Sequence, residues 1–166
     1  MPRRPSTTTS DLKLIALDAE DLAVVSAHLQ DAVLRVADIA YLKTEKRFAL
    51  ILNRFDWSEA LDDDRKTAKR LRAEHTRKRA GLRFERVLGV QSTAFDPKAK
   101  DAVLNMLAIG FDLKVDPEGH VTLLFSGGAA IKLHVECIEA ELRDLGSAWR
   151  ARAKPKHPGD EPPGSG

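Results

Sequence analysis

From Val103 to Cys137 the chain reads VLNMLAIGFDLKVDPEGHVTLLFSGGAAIKLHVEC. Apolar residues alternate with others through most of it, and only two short turn signals, DPEG and GG, interrupt the pattern. Side chains of a strand point to opposite faces in turn, so a period of two sets one apolar row against a core. Connections this short cannot make the crossover that a parallel pair needs, so the successive strands must be antiparallel neighbours. Val103, Leu107, Ile109, Phe111 and Leu113 form the first row, with Asn105 as its exception. Val121, Leu123 and Phe125 form the second, and Ile131, Leu133, Val135 and Cys137 the third. DPEG has the composition of a type I turn, with Asp116 first, Pro117 second and Gly119 fourth.

The same grammar extends upstream. VADIAYL and RFALILNRFDW, separated by the polar KTEK, predict a hairpin, and the second run is apolar on both parities, as a central strand requires. GLRFERVLGVQSTAF keeps Leu82, Phe84, Leu88 and Val90 on one parity; Arg86 interrupts it, so a bulge or a sheet edge is expected there. LKLIAL reads as a short strand. After it Asp18 stands at an N-cap position, with Asp21 three residues on and Leu22, Val25, Leu29 and Val33 at helical spacing, which predicts a helix over residues 19–30. At the far end CIEAELRDLG places Ile138, Leu142 and Leu145 on one helical stripe, with Gly146 as C-cap. The expected fold is α+β: a bent antiparallel sheet or split barrel of about six to seven strands, with an N-terminal helix and a C-terminal capping helix. Such an architecture is similar to the pleckstrin-homology fold, a likeness that carries no function.

A chain of 166 residues, 43% hydrophobic and 31% charged, fits one globular domain. It is expected over residues 11–149. Residues 1–10 and 150–166, rich in Pro, Ser, Thr, Gly and charge, are expected to be disordered tails. Residues 62–80 are expected to be a basic insertion loop. One cysteine allows no internal disulfide, no run of roughly 18 apolar residues suggests a membrane span, and no leader follows the basic N-terminus. The cytoplasm is the expected location.

Net charge is only +2, but it is unevenly placed. Between Arg65 and Arg86 ten basic residues face two acidic ones, which leaves the remainder acidic. Arg65, Lys66, Lys69, Arg70, Arg72, Arg77, Lys78 and Arg79 are therefore candidates for binding nucleic acid or another polyanion. A second candidate set is Arg54, Asp56 and Trp57 of NRFDW with Arg83 and Glu85 of LRFERV. If their strands are neighbours, Arg54 can face Glu85 and Asp56 can face Arg83, lining one polar recess suited to a carboxylate, a phosphate or a charged partner side chain. His134, Glu136 and Cys137 are close in sequence but do not converge. On a strand the first two share a face and Cys137 falls on the other, in an apolar row where a free cysteine acts as a core residue. No metal site, cofactor motif, nucleophile elbow or phosphate loop is found.

The segments LKLIALDAEDLAVVSAHLQDAVLRVADIAYL, RFALILNRFDW, RAGLRFERVLGV, VLNMLAIGF and VECIEAELRDLG together resemble a bacterial family, chiefly alphaproteobacterial, catalogued as domain of unknown function 2948. The resemblance covers nearly the whole domain and brings no activity or catalytic residue with it. The reading that follows is a small cytoplasmic binding or adaptor module without catalysis, with an unidentified protein as partner. Polyanion binding is the alternative, and an enzyme built on the Arg54, Asp56, Arg83 and Glu85 recess comes third.

Overall fold

The computed structural model describes residues 11–56 and 77–146. Over them the chain forms β1 Lys13–Ala16, α1 Ala19–His28, β2 Val33–Arg35, β3 Ile39–Leu42, β4 Arg47–Phe55, β5 Arg77–Phe84, β6 Val87–Thr93, β7 Val103–Val115, β8 Glu118–Phe125, β9 Ala130–Val135 and β10 Ala140–Asp144. All pairings are antiparallel, in the order β1-β10-β5-β4-β2-β7-β8-β9-β6, and β3 also pairs with β4. No helix among the described residues is long and apolar enough to cross a membrane. The expected tails and most of the basic insertion lie outside the described residues. The last part of that insertion, Arg77 to Ala80, is the first half of β5.

Among the described residues, ten strands and one α-helix overturn the α+β expectation of six to seven strands with CIEAELRDLG as a capping helix. The likeness to the pleckstrin-homology fold, which rested on that cap, falls with it. CIEAELRDLG contributes a strand instead. Ala140, Leu142 and Asp144 are buried while Glu141 and Arg143 between them are not. Leu142 fits a helical stripe and a strand row equally well. The decision comes from β10 lying between β1 and β5 and pairing with both, because ladder bonds on two sides outweigh a helix preference of a few tenths of a kcal/mol per residue.

Three local corrections share one cause, a change of parity that a uniform alternation cannot show. GLRFERVLGVQSTAF is two strands, because the chain turns at Glu85 and Arg86, the latter at φ 62°. In β7 the register shifts between Met106 and Ala108, so Leu104, Met106 and Ile109 are buried while Val103, Leu107 and Leu113 are exposed. In DPEG the closing pair is Val115 with Glu118, so Pro117 stands third in the turn, after a cis peptide bond, and not second. The first helix and the KTEK hairpin form as read. Asp18 Oδ1 accepts from Asp21 N at 2.8 Å, and Asp21 Oδ2 accepts from Leu17 N at 3.0 Å. The β8–β9 turn uses Gly127 and Gly128 at φ 78° and 85°, a conformation costly for residues with a Cβ.

Only Glu85 and Arg86 separate β5 from β6, yet the two strands stand six places apart in the order. The sheet therefore curls round one core, whose largest fully buried side chains include Phe48, Phe84, Phe125 and Met106. Curling brings edge strand β6 back beside β3. Val87 N donates to Lys46 O at 2.9 Å, and Tyr41 Oη donates to Val87 O at 3.0 Å. Beyond that point, among the described residues, β6 pairs with β9 alone and β3 with β4 alone, so a seam remains between them.

A buried ion pair fastens the other end of the sheet. Arg54 of β4 reaches past β5 to Asp144 of β10, with Nε on Oδ1 and Nη2 on Oδ2, both at 2.8 Å. Asp144 Oδ2 also accepts from Leu12 N at 2.8 Å, and Arg54 Nη1 donates to Phe55 O at 2.9 Å. The Arg54 and Asp144 side chains are 4% and 0% exposed, so removing either partner strands a charge in the interior. Asp144→Ala is expected to cost about 3–5 kcal/mol in urea unfolding, and the double change Arg54→Met with Asp144→Leu distinctly less. Equal losses in the single and double variants would show that packing, not charge pairing, dominates.

Candidate functional site

The two polar strand ends do not share one recess. β4 and β5 are neighbours, but their register sets Arg54 opposite Lys78 and Arg83 opposite Ala49. Five residues of strand, roughly 17 Å, separate Arg54 from Arg83 along the ladder. They also face different ways, Arg54 inward to Asp144 and Arg83 outward. Asp56 pairs with Lys78 at 3.3 Å, and Arg77 lies over the Phe55 ring at 4.3 Å. Trp57, Arg65, Lys66, Lys69, Arg70 and Arg72 lie outside the described residues.

Arg83 and Glu85 belong to a different cluster. Glu85 takes Arg47 at 2.9 Å and Arg83 at 2.8 Å, and Arg83 also bonds Glu141 at 2.6 Å. Beside them Glu136 takes Lys46 at 2.9 Å and Arg86 at 3.5 Å, while Arg86 meets Glu139 at 3.2 Å. The hydrogen bond that Lys46 donates holds the Glu136 carboxyl below its ordinary range, and the one that Arg86 donates to Glu139 raises Arg86 further. These groups line an open polar cleft of about 440 Å³ where the β3–β4 turn, the β5–β6 link and the β9–β10 link meet. Its bases and acids neutralise one another. Exposed pairs of this kind add about 0–1 kcal/mol each, so the cluster aligns three connections and offers little net charge to a ligand.

His134 sits apart from Glu136. It faces His120 across β8 and β9, with ring centroids 5.2 Å apart, and bonds Glu118 through Nε2. Cys137 follows β9 and is half-buried, not a core residue, because the strand ends at Val135 and the row expected to include it has stopped. Among the described residues no group of three or more His, Cys, Asp or Glu is placed to hold a metal ion.

An apolar concavity with no direct sign in the sequence lies in the seam. Ile39 and Tyr41 of β3 and Val90 and Ser92 of β6 form its sides. Val36, Phe48 and Ile131 give it an apolar interior, and Phe95, Pro97 and Lys100 of the β6–β7 loop complete it. It encloses about 180 Å³. Lys100 is exposed and forms no ion pair with a described residue. In the sequence the signal was VLGVQST, a strand with neither charge nor proline, followed by a loop carrying Phe95 and Pro97. That loop cannot be placed without knowing that β6 returns to β3.

The described residues thus form an antiparallel sheet with an apolar concavity in its seam and an open polar cleft whose charges are paired with one another. The chain belongs to the family described as Protein of unknown function (DUF2948), whose model matches residues 12–157. No curated protein and no solved structure matches it.

His120 titrates below the ordinary histidine range, first because burial disfavours its cation and then because Lys132, His134 and Lys114 repel it. A histidine depressed in the folded state takes up protons more readily when unfolded. Its contribution to stability is therefore present above the unfolded pKa and is lost as pH falls through the unfolded range toward the folded value. NMR titration of the imidazole is expected to show a low midpoint that rises in Lys132→Gln. An unchanged midpoint would leave burial as the operative cause.

Proposed function

We propose that this chain is a non-catalytic binding module of a bacterial cytoplasm, and that its seam cavity receives an apolar side chain of a protein partner. The observation that carries the reading is the cavity itself: an apolar concavity between two strands whose facing edges, beyond Val87, have no ladder partner among the described residues. Its size selects the occupant. Sites for drug-sized molecules enclose about 300–1,000 Å³, whereas 180 Å³ suits one large side chain. The single cysteine fits a reducing compartment.

Toluene reproduces a phenylalanine side chain and tests the socket directly. Added to protein labelled at Ile, Leu and Val methyls, it is expected to shift Ile39, Val90 and Ile131 saturably, with roughly millimolar affinity or about 4 kcal/mol. Leu22 and Val25, on the buried face of α1, should not move. Shifts spread through the core, or none at the seam, would refute a preformed socket.

A further inference from the structure

We propose that the seam is a strand-addition site, where an extended segment of the partner pairs with β6 along residues 90–93, sets one large apolar side chain in the cavity and turns an acidic side chain to Lys100. The proposal rests on the socket reading and adds the partner's backbone to it.

An edge strand exposes unpaired N–H and C=O groups, and folded proteins guard such edges with shortness, charge, proline or a bulge. The other edge of this sheet is guarded, since β1 has four residues and begins with Lys13. β6 is longer, seven residues, and its sequence VLGVQST has no charge and no proline. Its one irregularity lies between Val87 and Gly89, and from Val90 to Thr93 it keeps regular register with Leu133 to Ala130. Across the seam β3 pairs, among the described residues, only with β4. The uncapped stretch of β6 is therefore also the stretch beside the cavity, because Val90 and Ser92 line it.

This coincidence favours a peptide over a free small molecule. A small ligand would fill the cavity and leave the edge of β6 unpaired, whereas an added strand supplies both backbone partners and a side chain, as in other strand-addition complexes. Side-chain alternation then sets the pattern. Neighbours of the anchor on the added strand point away from the cavity, and residues two places on lie at its rim. Residues 87–93 carry no charge, so Lys100 supplies the charge at the cavity and selects an acidic residue.

A phage-displayed library of random octapeptides, selected against the full chain, tests the proposal. Enriched peptides are expected to share one large apolar residue with Asp or Glu within two positions. A synthetic copy should shift the amides of residues 90–93 and weaken about tenfold or more with Lys100→Glu, an exposed change, and with Val90→Trp, which fills the socket. N-methylation of alternate backbone amides should abolish binding in one phase and spare it in the other. Three results would overturn strand addition: no enrichment, insensitivity to N-methylation in both phases, or a dimer in solution paired through β6. If toluene still seats in the cavity under any of them, the socket stands without the strand. If toluene also fails, both readings fall.

Discussion

Two residues join β5 to β6, and most of the architecture follows from that link. Phe84 and Val87 are at most roughly 11 Å apart along the chain, whereas six strand spacings in a flat sheet would require about 29 Å. A flat arrangement is thus impossible. The strands between them must curl until β6, ninth in the order, returns beside β3, and this curl brings Phe48 and Phe84 into one core with Phe125 and Ile131. Glu85 and Arg86, the link itself, are drawn into the paired cluster with Arg47, Glu136 and Glu139.

The molecule uses ion pairs in two distinct ways. At the β5–β6 link they are about half-exposed on the basic side and shared among several partners, so individually they are weak and collectively they orient three connections. Between Arg54 and Asp144 the pair is buried and bidentate, with a further bond to the backbone of Leu12. Burial makes such a pair a poor source of net stability but a strict condition on register. A slip of β10 by one residue would turn Asp144 to solvent and leave Arg54 alone inside. The pair thus fixes the register of a strand, AELRD, that its ladders with β1 and β5 hold in place.

Legibility from sequence followed the range of the interactions involved. The N-cap at Asp18, the KTEK hairpin and the central position of β4 depend on residues close in the chain, and each could be read. So could membership in the family. Adjacency of β4 and β5 was a correct assumption, but its register was not available, and register decides that Arg54 meets Asp144 and not Glu85. The parity change in β7 rests on one bulged position that no residue type announces. The β10 strand and the seam cavity depend on partners more than 40 residues away, so neither periodicity nor composition could find them.

The cavity follows from how the seam is closed. Backbone and side-chain bonds at Val87 pin one end, to Lys46 and Tyr41, and no ladder between described residues continues beyond. Adjacent strands twist relative to each other by roughly 20–25° even when fully bonded. Two strands joined at one end and free along the rest therefore diverge, and the wedge opens toward Ser92 and the loop bearing Phe95 and Lys100. Filling it with larger core residues would pack the wedge but leave the β6 edge unpaired, whereas a third strand satisfies both. The seam is thus a consequence of sheet geometry first, and its uncharged, proline-free edge is what turns that geometry into a candidate interface.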